Sequence, residues 1–134
     1  MTPQTYMEPK LLTPLELKVM NILWSLKEAY VKDIIAHWPE PPAPAYNTVS
    51  TVIRILEEDK KGFVGHQTVG RSHLYYPKVS RACYQQWALR NMIDSVFAGS
   101  LTGMVSSLLD DDDVSPDELD ALRDLIDQSD DASA

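Results

Sequence analysis

The run Tyr46-Asn47-Thr48-Val49-Ser50-Thr51-Val52-Ile53-Arg54 sets small hydrogen-bonding side chains beside a regular apolar stripe. Asn can pair bidentately with an adenine edge, Ser and Thr can bond bases or phosphates, and a Thr methyl can pack on thymine. Asn47, Thr48, Ser50 and Thr51 are short enough for a helix backbone to approach a groove closely, while Tyr46 and Arg54 can reach the flanking phosphates. Free amides and the positive dipole at the start of such a helix add to phosphate affinity. Exposed helix faces normally carry many charges, and this one begins without any. The competing reading is a polar face turned to solvent.

A second constellation, Val69-Gly70-Arg71-Ser72-His73, places a cation on a glycine-containing hairpin tip. Arg71 could lie along or within a minor groove, and Ser72 or His73 could bond phosphate. Lys60, Lys61 and Lys78 are weaker candidates for the same backbone. Other chemistry is poorly supplied. His37, His66 and His73 have no Cys or carboxylate at metal-ligand spacing, so a surface or partly buried role is expected for each. Asp110–Asp113 lacks the alternation and glycine of a calcium loop and reads as a solvated linker. Cys83, the single cysteine, excludes an internal disulfide and reads as a small core residue. No nucleophile elbow, P-loop or dinucleotide fingerprint is present. Neither a catalytic residue, a metal site nor a cofactor is expected, and the chain does not read as an enzyme.

These residues need a scaffold, and the periodicity supplies one. Thr13-Pro14-Leu15-Glu16 opens a first helix with a capping box and proline at its first position. Leu15, Val19, Ile22, Leu23 and Leu26 give it an apolar face. Val31, Ile34, Ile35 and Trp38 repeat the pattern in a shorter helix, which Pro39–Pro44 terminates. The third helix runs from about 45 to 61 on the stripe Val49, Val52, Ile53 and Leu56, with Gly62 as its stop. Phe63–Thr68 and Leu74–Val79 read as two short strands around the tip. Helix returns from Ser80 to Gly99, again over Leu101–Leu109, and finally after the capping box Ser115-Pro116-Asp117-Glu118. The predicted fold is mainly α with a small β-hairpin: a winged helix-turn-helix followed by a helical dimerisation region.

With 134 residues the chain is one small domain with an appendage. We divide it into a loose arm (1–10), a winged-helix domain (11–80), a helical region (81–128) and a frayed tail (129–134). Its net charge of -8 argues at first against nucleic acid, but residues 1–81 balance at +2 and residues 82–134 at -10. The acidity belongs to one end only. No apolar stretch is long enough to span a membrane and no signal peptide is apparent, so neither membrane insertion nor secretion is expected, and one cysteine suits a reducing cytoplasm. The last helices carry large apolar side chains with little body to bury them against. Trp87, Ile93, Phe97, Leu101, Met104, Leu108, Leu119, Leu122 and Ile126 are therefore expected to meet a second copy in a symmetric dimer.

Leu12-Thr13-Pro14-Leu15-Glu16-Leu17-Lys18-Val19-Met20-Asn21-Ile22-Leu23-Trp24 resembles the opening of the penicillinase repressor (BlaI/MecI) family, with its early acidic residue and final apolar-apolar-Trp triplet. Asn47–Leu56 is similar to that family's recognition helix, and Gly62-Phe63-Val64 with Leu74-Tyr75-Tyr76-Pro77 to its wing strands. The likeness extends over roughly residues 11–127, including the acidic helix Glu118–Ile126. It implies a bacterial homodimeric transcriptional repressor acting on a palindromic operator. Asn47, Thr48, Ser50 and Thr51 fall at the family's base and phosphate contacts, and Arg71 in its wing loop. A sensor or protease for induction is a further implied partner. In the best-known members cleavage occurs at an Asn-Phe bond; here Ser107-Leu108 stands at that place and the chain has no Asn-Phe. The paired C-terminal cysteines of the copper-responsive branch are also absent. The alternative from a different class is a winged helix that docks protein through its acidic C-terminal helices.

Overall fold

Helix α1 (Pro14–Leu26) starts on Thr13, whose hydroxyl accepts from the Glu16 N–H at 3.2 Å while Glu16 Oε1 accepts from the Thr13 N–H at 2.9 Å. The capping box forms as its residues predict. α2 (Val31–Ala36) and α3 (Tyr46–Glu57) follow, then strands β1 (Val64–Val69) and β2 (Ser72–Pro77), and helices α4 (Arg81–Val96), α5 (Leu101–Leu109) and α6 (Pro116–Ser133). These elements come from a computed structural model that describes residues 11–58 and 61–133. The arm expected over residues 1–10 and the candidate Lys60 lie outside the described residues. The architecture is the mainly helical one expected, a winged helix-turn-helix followed by a helical region.

Two compact units divide within α4, the first ending at Leu89 and the second beginning at Arg90. The first is centred on Val19, Met20 and Leu23 of α1, Ile34 of α2, Val49, Ile53 and Leu56 of α3, and Phe63 and Val64 at the hairpin root, all fully buried. The expected stripes of the first three helices make this core. A boundary near residue 80 would leave out part of it. Tyr84 on α4 is buried, receives a hydrogen bond from the Leu12 N–H at 2.9 Å, and packs its ring against Phe63 at 5.7 Å and Trp24 at 5.9 Å. The first turns of α4 thus belong to the winged unit. They also turn Cys83 outward: with Tyr84 and Trp87 facing inward, its neighbour is exposed, and the expected core role does not hold.

The strands are as long as predicted but shifted toward each other, so the hairpin turn is tighter. β1 and β2 pair antiparallel from Val64↔Pro77 to Val69↔Ser72, leaving only Gly70 and Arg71 as the loop. Gly70 has φ +61, which glycine adopts without strain, and the positive φ at the first loop residue alone is the pattern of a type II′ turn. Ser72 and His73, expected in the tip, instead begin β2. A further link had no signal in the periodicity. Ala29, between α1 and α2, exchanges two 2.9 Å hydrogen bonds with Tyr75 as an isolated antiparallel bridge. It gives the two-stranded ribbon a third partner in the body of the unit.

In the second unit α5 is capped by Ser100, whose hydroxyl accepts from the Gly103 N–H at 2.8 Å. α6 opens on the expected Ser115–Glu118 box, with the Glu118 N–H donating to Ser115 Oγ at 3.1 Å. Its backbone stays helical to Ser133, beyond the frayed end expected at Ser129, since neither Gly nor Pro follows Pro116.

Candidate nucleic-acid interface

α3 buries Val49, Ile53 and Leu56 and turns its polar residues out. Asn47, Thr48, Thr51 and Arg54 are exposed and Tyr46 is 58% exposed, while Ser50 is half-buried. Helical spacing sorts them into two rows. Tyr46, Ser50 and Arg54, four residues apart, line the side toward the wing, where they share one open concavity of about 540 Å³ with Val69, Arg71, Ser72, His73 and Tyr75. Asn47, Thr48 and Thr51 lie on the outer row, clear of that concavity. The recognition-type helix and the hairpin tip are therefore neighbours, and five of the eight candidate residues line a common surface. Arg54 rests along its own helix through long contacts to the Ser50 carbonyl (3.4 Å) and Thr51 Oγ1 (3.5 Å), weak enough for an anion to displace.

The penicillinase repressor family profile matches residues 12–128. The chain belongs to the penicillinase repressor family. Among its relatives, the methicillin resistance regulatory protein MecI of Staphylococcus aureus (strain N315) is 29% identical over 111 residues, covering 83% of this chain and 89% of the relative. MecI of Mammaliicoccus sciuri aligns with the same identity and coverage. The penicillinase repressor of Bacillus licheniformis is 24% identical over 113 residues, covering 84% and 87%. BlaI/MecI family members are transcriptional repressors that bind operator DNA and are not enzymes.

Within this family's fold, the concavity includes residues that the sequence did not single out. Tyr30 and Lys32 line its far side from α2, with the Lys32 ammonium 5.7 Å from the Tyr30 ring centroid. No local pattern marks them, because only the tertiary fold brings α2 opposite the wing. Three cations from three elements, Lys32, Arg54 and Arg71, thus surround one depression. Lys61 is differently placed: its Nζ pairs with buried Glu16 at 3.5 Å, which ties it to the body of the unit. Lys78 is exposed beside the hairpin root.

Under the wing, His66 Nδ1 contacts Glu57 Oε2, and the His66 ring stacks on His73 with centroids 4.0 Å apart and planes 9° from parallel. Tyr75 meets both rings edge-on and sits 3.5 Å through its hydroxyl from His73 Nδ1. Burial holds the Tyr75 phenol above its usual pKa, Glu57 adds to the rise, and Arg54 opposes it. Among the described residues, no group of three or more His, Cys, Asp or Glu is arranged to hold a metal ion.

The residues expected at a dimer surface separate into two sets. Leu101, Leu108 and Ile126 are exposed, and Phe97, Met104, Leu119 and Leu122 are half-buried. Ile93 is only 3% exposed within the chain itself, and Trp87 packs on the winged core with its ring 6.2 Å from Tyr84. Met92, Val96, Leu109 and Leu125 are exposed apolar residues missing from the expected set. Among the described residues, no single helix is long and apolar enough to cross a membrane.

Proposed function

We propose that the chain represses transcription in the cytoplasm as a homodimer on an inverted-repeat operator. α3 enters the major groove of each half-site, with Asn47, Thr48, Ser50 and Thr51 toward the bases. Tyr46 and Arg54 meet the sugar-phosphate backbone beside it. Arg71 reaches the adjacent minor groove, and Ser72 bonds the phosphate at its edge. The observation that supports this reading is the shared concavity between α3 and the wing, which gathers cationic and hydroxyl groups on one surface.

Leu101, Leu108 and Ile126 anchor the dimer, with Phe97, Met104, Leu119 and Leu122 around them. Since Trp87 packs on the winged core and Ile93 is buried within the chain, we infer that both contribute less to that surface. The balance of -10 in residues 82–134 keeps the helical region off the phosphates and so orients the dimer on the duplex. Release would come from a sensor or protease that acts elsewhere than at an Asn-Phe bond, because the chain has none.

The test is operator affinity of the Ser50→Ala/Thr51→Ala double variant beside its oligomeric state. Specific affinity is expected to fall by ~0.5–1.5 kcal/mol for each hydroxyl hydrogen bond removed, with the dimer unchanged. Undiminished operator binding by that variant would contradict the reading. Absence of any specific DNA binding by the wild type would instead favour a protein-docking winged helix.

A further inference from the structure

The cluster Glu57–His66–His73, of which only His73 lines the concavity, joins the end of the recognition-type helix to the middle of the wing. Glu57 is the last residue of α3, His66 lies on β1 and His73 on β2. Since His66 pairs with Tyr75 in the ladder, His73 stands two residues along on the same face of the ribbon. One carboxylate–imidazole contact and one ring stack therefore run from helix to first strand to second strand. Only half-buried at Glu57 and His66, these groups contribute little to the core, whose side chains lie deeper.

We propose that Glu57, His66 and His73 are positioning residues: they fix the tilt of the wing relative to α3, so that Arg71 and the outer row of α3 meet one operator half-site together. This rests on the DNA-binding reading above. A two-stranded ribbon twists easily. The turn that carries Arg71 lies about four residues beyond His66 along the ribbon, about 13 Å at the rise of a strand, so a tilt of about 10° at His66 would move the tip by roughly 2 Å. That exceeds the tolerance of a hydrogen bond. The Ala29–Tyr75 bridge holds the ribbon's second strand to the body, and the cluster adds a hold on the side facing α3.

The experiment is a double-mutant cycle on the full chain with its inverted-repeat operator: wild type, His66→Ala, Arg71→Ala and both together. If Arg71→Ala binds as tightly as wild type, the wing reading itself fails and the link fails with it. Where Arg71→Ala weakens binding, His66→Ala alone is expected to cost about tenfold, yet little more when Arg71 is already gone. Losses that multiply would overturn the link while the DNA reading stands, and so would unaltered binding by His66→Ala. Melting temperature is followed for each variant. Should His66→Ala fold poorly, Glu57→Ala and Glu57→Gln carry the same test. The alanine is expected to reproduce the tenfold loss and the glutamine, which keeps an acceptor, to recover most of it; equal loss in both would overturn the proposal.

Discussion

Tyr75 shows how one side chain can serve fold and site together. Its backbone bridges Ala29, its ring closes the core edge, and its phenol faces the concavity. With its pKa raised by burial above the ordinary 10.0, its contribution to stability is complete below about pH 10 and is lost as pH rises through the raised value. Tyr75→Phe is therefore expected to flatten the alkaline limb of stability, read by urea unfolding at pH 8 and pH 10.5. An unchanged loss between those values would place the alkaline sensitivity elsewhere. Lys32 makes a second prediction at this scale. As a phosphate contact, its replacement by Ala should weaken operator binding evenly across sequences and lower the salt slope by about one. Tight binding with the wild-type slope would take Lys32 off the interface. That Asn47, Thr48 and Thr51 face outward and Ser50 lies toward the wing follows from helical spacing, which is a local property of the sequence. Tyr30 and Lys32 were not legible there, because their place beside the wing depends on three elements folding together.

Helix starts were the most readable elements, since Thr13 and Ser115 each satisfy a free amide with a residue three positions on. Helix ends were harder to read. α4 stops with Ala98 at φ +51, followed by Gly99, whose N–H reaches back to the Ile93 carbonyl at 2.9 Å. That bond spans one residue more than the closure of a Schellman motif, and alanine occupies a left-handed position that glycine normally takes. Ala98→Gly should accordingly stabilise the chain, by up to ~1 kcal/mol once glycine's extra freedom when unfolded is subtracted. A denaturant titration followed by circular dichroism checks this, and a lowered midpoint would show that Ala98 is not strained there. The wing was recognisable as a hairpin, but its tip is shorter than the spacing suggests. Gly70 marks the turn as expected; what periodicity missed is that Ser72 and His73 stay in the ladder opposite Val69 and Thr68.

At the scale of the molecule, the charge split suggests a division of labour between the two ends, and the first compact unit runs nine residues past residue 80. Aromatic side chains caused that extension. Tyr84 and Trp87 read as part of an apolar helix surface, and only their contacts with Trp24, Phe63 and each other assign them to the winged unit. The central claim is that two winged units, joined through their helical regions, read two half-sites. Its most direct test is selection of bound fragments from a random duplex library by the purified full-length chain at physiological salt. The predicted result is enrichment of an inverted repeat with half-site centres one helical turn or a multiple apart. That enrichment should vanish for Ser50→Ala/Thr51→Ala and collapse to weak half-site binding when residues 100–134 are removed. Recovery of salt-sensitive, sequence-independent background alone, or of an unpaired half-site bound equally well by the truncated chain, would contradict the claim.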